Sequence, residues 1–544
     1  MRAKFRTPSK AFLCLLTAAG VVAFSSSDYP PRFLTHFSDE IRVGFNGLAR
    51  TSRAFLTIAS NAVNYKYTLH GLSEDTDEYR RALSEVHLQS AKRLLKLCEA
   101  NKGFYVKAGQ FVAALRQVPK EYTSTLSSLQ DQAIPCQFRA IKEVLTESLK
   151  KEFTDIFISF DEQPIAAASV AQVHHAVLKN HEEVAVKVQY PGLEQLMKLD
   201  ITTMSFLSKA VAWLFPEYRF GWILSAFKEA IAMELDFIQE AKNSERTAKN
   251  FENDKRVKVP RVFWDLTSSK VLTMQFCTGH KVDDLEFLMK AGIDPIKVAQ
   301  TLSEVFASMI FIHGFVHGDP HPGNILVSLS GPQDFILVLL DHGLYRTLDE
   351  EFRLNFCQLW KALVLMDSNK IQYLGERFGI GNYFRYLPLI FTERIIDSKS
   401  ALRKQMSSEE RLIVRQELKS LKIEDVSSFM ESLPSDFLTI LRTDGLLRSI
   451  HHKLGAPRYV RLLAYSKYAI YGLSASRKSS VLTLKVAVSR LKSNFNYLQL
   501  MCLLGLFELV CWMEEVKHLF IKNFKNLLVA AQHFIICCIR PQIG

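Results

Sequence analysis

The chain of 544 residues has nine cysteines, at positions 14, 98, 136, 277, 357, 502, 511, 537 and 538, with no Cys-x-x-Cys pair and an odd total. That excludes a disulfide framework or a zinc knot as the organising principle and leaves reduced thiols. There is no internal repeat and no low-complexity tract. No nucleic-acid motif appears, and the basic residues form no aromatic-bearing strip, so a nucleic-acid partner is not expected. The apolar run Ala11 to Phe24 is short, and Tyr497 to Met513 is interrupted by Gln499 and Glu508. A bilayer-spanning helix needs about 20 apolar residues, so neither is a good span.

What is present describes a folded protein. Apolar residues make up 48% and charged residues 23% of the chain, ordinary globular usage. Its length suits two to four domains on a prior of roughly 100 to 200 residues each. The net charge of +12 is spread along the chain; it suits a polyphosphate, an anionic lipid or nucleic acid, and alone selects none. Met1 to Ser27 holds Arg2, Lys4, Arg6 and Lys10 and no acid. This is a targeting segment by pattern: a secretory signal, an organellar transit peptide or a membrane anchor. The lack of a disulfide pattern favours an organelle.

In chain order, a loosely helical stretch from Phe33 to Tyr67 breaks at Ser73 to Tyr79. A helix is predicted from about Arg80, with Leu83, Val86, Leu88, Ala91, Leu94, Leu95 and Cys98 near a 3.6-residue period. Gly103 stops it, and Phe104 to Leu115 restarts a helix whose Lys107 and Gln110 share a face at i, i+3. Strands are predicted at Ile158 to Phe160, Val170 to Val177 and Glu183 to Gln189. Helices follow over Gly192 to Phe215 and Gly221 to Phe251, then strands at Val257 to Phe263 and Val271 to Phe276. Pro295 to His313 is a helix with a stripe of Val298, Leu302, Val305, Phe306 and Met309, ended by Gly314. Ile325 to Val327 and Phe335 to Leu340 flank a turn-rich Ser328 to Asp334, a β-hairpin that leaves Asp341 at the end of a buried strand. Leu348 to Ser476 is mostly helical. Val516 to Ile539 mixes apolar residues with Lys517, Lys522 and Lys525, as an interfacial helix or a packing helix would.

Phosphoryl chemistry needs acids that hold Mg²⁺, a cation for the phosphates and a group that orients the nucleophile. Asp319 and Asn324 lie five residues apart in a Pro-stiffened loop, and Asp341 follows by one hairpin. That is the order and spacing of a kinase catalytic loop and its metal-binding acid. Lys187, in Val184-Ala185-Val186-Lys187, sits on the strand that carries a phosphate-binding lysine. Singly, Asp319 and Asp341 read as turn-forming acids. His317, Asp319 and His321 also allow a hydrolase-type metal cluster, against which stand Pro320, Pro322 and the want of further clustered ligands. On a continuous helix, Asp236, Glu240 and Asn243 share one face, while Glu234 falls on an apolar stripe and needs a cation such as Lys107 or Lys187. Thr347-Leu348-Asp349-Glu350 has the capping-box pattern, so a helix is expected about six residues after Asp341. Little chain remains for an activation segment, and a small-molecule or lipid substrate, or plain ATP hydrolysis, is favoured over a peptide.

Lys107-Ala108-Gly109-Gln110, Ala166-Ala167-Ala168-Ser169, Glu234-Leu235-Asp236, His317 to Asn324 and Leu340-Asp341-His342-Gly343 together resemble the UbiB family of atypical kinases, strongly over Ser84 to Gly381. Leu340 to Tyr345 and Glu121 to Leu126 are similar to a mitochondrial branch that has Asp-His-Gly where ordinary kinases have Asp-Phe-Gly. The resemblance implies an α+β, bilobal, protein-kinase-like fold with a helical N-terminal extension and a helical C-terminal region. Its expected parts are a targeting segment or anchor (1–30), the extension (31–150), a small lobe (151–290), a large lobe (291–480) and membrane-associated or packing helices (481–544). It implies ATP or ADP with Mg²⁺, catalytic roles for Asp319, Lys187 and Lys107, and a nucleotide site of Ala166, Ala167, Ala168, Ser169, Lys187 and Glu240. Asn324 and Asp341 would hold the metal, and Gly109, Gln110, Glu234 and Asp236 would gate or brace the site. Glu240 would pair with Lys187, and Glu234 and Asp236 with Lys107, on a helix laid over the active site.

The alanines replace a glycine-rich loop. Alanine resists positive φ and carries a methyl group, so this backbone cannot wrap phosphates as glycine does. The resemblance implies altered nucleotide preference and suppressed protein-kinase activity, with an alanine-rich packing turn as the alternative. The expected function is an ATPase or a small-molecule or lipid kinase supporting mitochondrial lipid homeostasis and membrane organisation, with membrane lipid as a partner and a plastid as the alternative location. The competing expectation is a silent pseudokinase that binds nucleotide and lipid and regulates a partner.

Overall fold

The computed structural model describes residues 39–73, 76–114, 118–131, 135–168, 170–215, 221–395, 432–474 and 491–506, with scattered positions at 406–429, 488 and 509–525. The expected targeting segment, Ser169 and most of the C-terminal stretch Val516 to Ile539 lie outside the described residues.

The extension begins with three helices, α1 (Asp39–Thr68), α2 (Asp77–Asn101) and α3 (Phe104–Ala114). Helix α2 starts a few residues before Arg80 because Thr76 caps it, its hydroxyl accepting the Tyr79 N–H. It stops where Lys102 and Gly103 both take positive φ. Helix α4 (Phe138–Leu149) puts Ile141, Val144 and Leu145 onto the small-lobe sheet.

That sheet holds β1 (Phe157–Phe160), β2 (Ala166–Ala167), β3 (Ala171–Leu178) and β4 (Glu183–Gln189). Helices α5 (Leu193–Leu214), α6 (Gly221–Glu234) and α7 (Phe237–Asn250) come next, followed by β5 (Val257–Lys258) and β6 (Val271–Gln275). The order β1-β3-β4-β6, with β2 on β3, is antiparallel throughout. Alternation on β4 sends Val184, Val186 and Val188 into the core and Lys187 to the opposite face.

Two expectations change here. The helix expected over Gly221 to Phe251 breaks at Leu235 and Asp236, because the Asp236 carboxylate accepts the Gln239 N–H and caps α7. The strand expected over Val257 to Phe263 ends at Lys258, ahead of Pro260, and pairs with the other lobe.

The large lobe contains β7 (His280–Lys281), α8 (Pro295–Ala307), β8 (Phe315–His317), β9 (Ile325–Gly331), β10 (Asp334–Leu339) and β11 (Tyr345–Thr347). Asp294 caps α8, and a wider turn of helix, Ser308–His313, ends it at Gly314 with φ +52°. Pro295–His313 is long and apolar enough to cross a membrane, but it is mostly buried and serves as a core helix. The hairpin turn is Pro332-Gln333, so much of the segment expected to be loop is strand. After β11, Asp349 caps α9 (Glu350–Leu365); this cap lies eight residues past Asp341 and two past the expected Thr347 cap. Helices α10 (Ser435–Lys453) and α11 (Arg458–Ser474) pack with α8 and α9 around Phe306, Phe311, Phe356, Trp360 and Phe437.

Candidate active site

Lys187 reaches from β4 to Glu240 on α7, 2.7 and 2.9 Å from its two oxygens, and to Asp341 Oδ2 at 3.0 Å. The break at Asp236 starts α7 so that Glu240 falls one turn in, 1% exposed, beneath the sheet. Burial pushes the Glu240 carboxyl up to about 7 against the pull of Lys187. Burial draws the Lys187 proton affinity down, but the Asp341 and Glu240 carboxylates outweigh it and the ammonium is stabilised. For Asp341, burial works upward and is overcome by Lys187 and by the Gly343 N–H donated at 2.9 Å, so it stays ionised far below the usual carboxylate range.

The Asp319 loop closes on itself. Asp319 N–H donates to His317 Nδ1 at 3.1 Å, the Asn324 amide donates to the Asp319 carbonyl at 3.2 Å, and Leu340 N–H donates to the Asn324 carbonyl at 2.9 Å. His321 Nδ1 accepts the Gly323 N–H at 3.1 Å in an exposed local turn. Among the described residues no three His, Cys, Asp or Glu side chains are placed to hold a metal, which removes the His317, Asp319 and His321 cluster as an alternative.

His342 of the Asp-His-Gly triplet is buried and structural. Its Nε2 lies 3.1 Å from the Leu339 carbonyl and must donate, so Nδ1 accepts the Tyr345 hydroxyl at 3.0 Å. Burial, then the neighbouring His317, hold its pKa down to about 3, and the ring is neutral.

Lys107 on α3 meets Glu234, the last residue of α6, at 2.8 Å. Burial lowers its proton affinity, and Glu234 and Asp319 raise it by more. Asp236 caps α7 and makes no ion pair with Lys107. Nor do Lys107 and Gln110 act together: the Gln110 amide donates to the Leu129 carbonyl at 2.9 Å and ties α3 to the chain behind it. Gly109 is there for closeness, since a methyl group would stand 2.4 Å from Leu129 Cδ1 and 3.2 Å from Cys98 Sγ. Ala166 and Ala167 pair with Val173 and Gln172, the Ala168 N–H donates to the Ala171 carbonyl, and Tyr190 holds the Ala168 carbonyl. The alanines thus form a clamped hairpin at the lip of the small-lobe sheet.

One residue escaped the motifs. Arg442 on α10 places Nη2 3.5 Å from Asp319 Oδ1 and its guanidinium over the Phe111 ring of α3. It lies about a hundred residues beyond Asp341, and nothing in its spacing marks it.

Asp341 and the Asn324 amide offer hard oxygens, the donor type of Mg²⁺, and with fewer than three such groups the ion would take the rest of its ligands from phosphate and water. The donor set fits.

Residues 128–374 match the model of the ABC1 atypical kinase-like domain. AarF domain-containing protein kinase 1 of Xenopus tropicalis is 39% identical over 414 residues, 75% of this chain and 79% of that protein. The chain belongs to the ABC1, or UbiB, family of atypical kinases. The protein of the same name from Mus musculus is 37% identical over 446 residues, 81% of this chain and 82% of that protein. A solved structure of Rv3197 with erythromycin, from Mycobacterium tuberculosis, covers 71% of this chain and 99% of that one at 21% identity and a TM-score of 0.46. In this ABC1 chain both lobes and the extension helix contribute side chains to one cluster, and Lys107, Lys187, Glu240, Asp319, Asn324 and Asp341 are all brought to it. The cluster can hold a polyanion, neutralise it and keep a carboxylate beside it.

Proposed function

We propose that the chain binds ATP or ADP with Mg²⁺ between Lys187, Asn324 and Asp341, and that it turns the nucleotide over with Asp319 as the group that takes the acceptor proton. Lys187, held between Glu240 and Asp341 as a permanent cation, carries this reading. Bound Mg²⁺ would supply charge neutralisation at the phosphates. Lys187 would hold phosphate oxygens, Asn324 and Asp341 would orient the metal side, and the clamped Ala166 to Ala168 hairpin would bear on the nucleotide through methyl groups. The acceptor is a small molecule, a lipid or water. The short passage from Asp341 to α9, and α3 above Asp319, leave no bed for a peptide.

We place this activity at a mitochondrial membrane, in lipid homeostasis, with a plastid as the alternative. The basic, acid-free start supports an organelle, and the outer face of α1 and α5 supports a lipid partner. Leu48, Phe55, Leu199, Phe206 and Trp213 are exposed there, Trp213 at 82%. Lys66 and Lys209 flank them, and α1 has no acid after Glu40. Such a face suits the surface of an anionic bilayer.

The second reading, a silent pseudokinase, is favoured by one observation: each Asp341 oxygen is already engaged, by Lys187 and by Gly343. Mg²⁺-dependent nucleotide turnover by the purified protein, with neutral and with anionic liposomes, separates the two. Turnover that falls to background in Lys187→Arg and Asp341→Asn, both still folded, supports the enzyme. Nucleotide-dependent thermal stabilisation with background turnover in the wild type supports the pseudokinase.

A further inference from the structure

Asp319 is faced by a cation from a part of the chain that no phosphoryl-transfer motif includes. The Arg442 side chain is 13% exposed, and its contact with Asp319 at 3.5 Å is longer than the 2.7–2.9 Å of a charge-assisted hydrogen bond. Its Nε is buried and has no partner. Among the described residues this guanidinium makes no hydrogen bond at all; it rests on the Phe111 ring and on one loose ion pair.

Other buried arginines of the large lobe, Arg448 with an equally unpartnered Nε among them, are anchored by hydrogen-bond acceptors. Arg353 binds Glu350 and the Phe311 and Gly472 carbonyls. Arg461 binds Asp444 and the Phe391 carbonyl. Arg448 binds Glu393, Asp444 and the Ile390 and Phe391 carbonyls. Each of these ties helices together. A guanidinium that is mostly buried, with its Nε out of water and without an acceptor, is costly unless something else completes its donors. Arg442 also lies near enough to Lys107 to lower its proton affinity. Two cations, Arg442 and Lys107, therefore stand beside Asp319.

We propose that Arg442 is the cation that meets the phosphoryl oxygens during transfer, an arginine supplied from within the chain. This rests on the nucleotide-turnover reading above. In that step the acceptor oxygen, of water or of a hydroxyl, bonds to the γ-phosphorus and its proton passes to Asp319. The bond from phosphorus to the ADP oxygen breaks, and ADP leaves with the electron pair. Midway, the transferring group is planar with its charge spread over three equatorial oxygens and building on the leaving oxygen, and a planar guanidinium with free donors binds that arrangement better than it binds the ground state. Phe111 holds the guanidinium in place, so the extension helix carries one wall of the transfer site.

The test uses the full chain with Arg442→Ala and Arg442→Lys, assayed for Mg²⁺-dependent ATP turnover. Arg442→Ala lowers kcat by on the order of 10³-fold, with the KM for ATP within about threefold of the wild type. Guanidinium chloride at millimolar concentration recovers part of the loss and equal sodium chloride does not. Arg442→Lys recovers little. ADP with aluminium fluoride, which imitates the transferring group, raises the melting temperature of the wild type above ADP alone but not that of Arg442→Ala. A structural role gives the opposite pattern: a lower melting temperature without ligand, kcat and KM changed together, and no rescue by guanidinium. That pattern, or an unchanged kcat, overturns the inference. Nucleotide binding by the wild type without turnover also overturns it while sparing the binding half of the reading; no nucleotide effect of any kind overturns the reading itself.

Discussion

His342 takes the place of a phenylalanine found in ordinary kinases, and its two ring nitrogens do work that a phenyl ring cannot. One donates to the Leu339 carbonyl and the other accepts from Tyr345, while the Tyr345 ring stacks on it and the His317 ring lies tilted beside it. His342→Phe leaves a buried carbonyl and a buried hydroxyl short of a partner, and is expected to cost about 1–3 kcal/mol at pH 7.5. Its pH signature is more specific. A histidine near pKa 6.5 when unfolded and about 3 when folded binds its proton first in the unfolded state. The stability it contributes is complete above about pH 6.5 and is lost as pH falls toward 3, by about 1.4 kcal/mol per pH unit. Urea unfolding at pH 7.5 and pH 5 is expected to show the wild type losing more stability across that interval than His342→Phe. Equal losses would mean that the ring is already charged in the native state. His87, His174, His317 and His451 shift the same way and are common to both proteins.

Helix α3 delivers Lys107 to the site, and its own seating depends on a missing side chain. Gly109 lets it press onto Leu129, and Gln110 locks the contact through the Leu129 carbonyl. Gly109→Ala is expected to lose about 1–3 kcal/mol by overpacking. Leu129→Ala, destabilising alone, should recover part of that loss in the double variant, because the atom in the way is a leucine methyl. Chemical denaturation of the four proteins gives the coupling; strict additivity would place the strain elsewhere. The same elements show what could be foreseen from sequence. Strands β3 and β4, the hairpin around Asp341 and the apolar stripes of α2 and α8 were legible because period and turn residues agree there. The break at Asp236 was not, because Glu234 to Asn243 satisfies a helical period on both sides of it and the capping carboxylate was read as a partner for lysine. The capping-box pattern likewise points to Thr347, but β11 takes Thr347 and Asp349 caps the helix. Arg442 was out of reach, since its approach to Asp319 depends on how α10 packs across the lobe, which no local pattern encodes.

Across the whole molecule, Lys187 joins the lobes. It stands on the small-lobe sheet, Asp341 ends a large-lobe strand, and Glu240 takes the Lys187 ammonium and, more loosely, the His342 N–H on the far side. Without the lysine, Glu240 is a buried charge with no cation, a fault expected to cost about 3–5 kcal/mol. Glu240 can escape that cost by taking a proton. Its carboxyl is held at about 7 even with Lys187 attached, and removing the cation raises it further. A carboxyl that titrates higher folded than unfolded, where it titrates near 4.3, contributes stability that is complete at low pH and lost as pH rises through the folded value. Asp341 is ionised across the neutral range in both states and adds little slope there. Lys187→Met is therefore expected to be far less stable than the wild type at pH 8 and to close part of the gap at pH 5.5. Denaturant midpoints of the two proteins at both pH values measure this; of the shifted histidines only His342 feels Lys187, and as the smallest of its causes. An equal gap at the two pH values would show that the lobes are held by packing, with Glu240 no longer the group that needs the lysine.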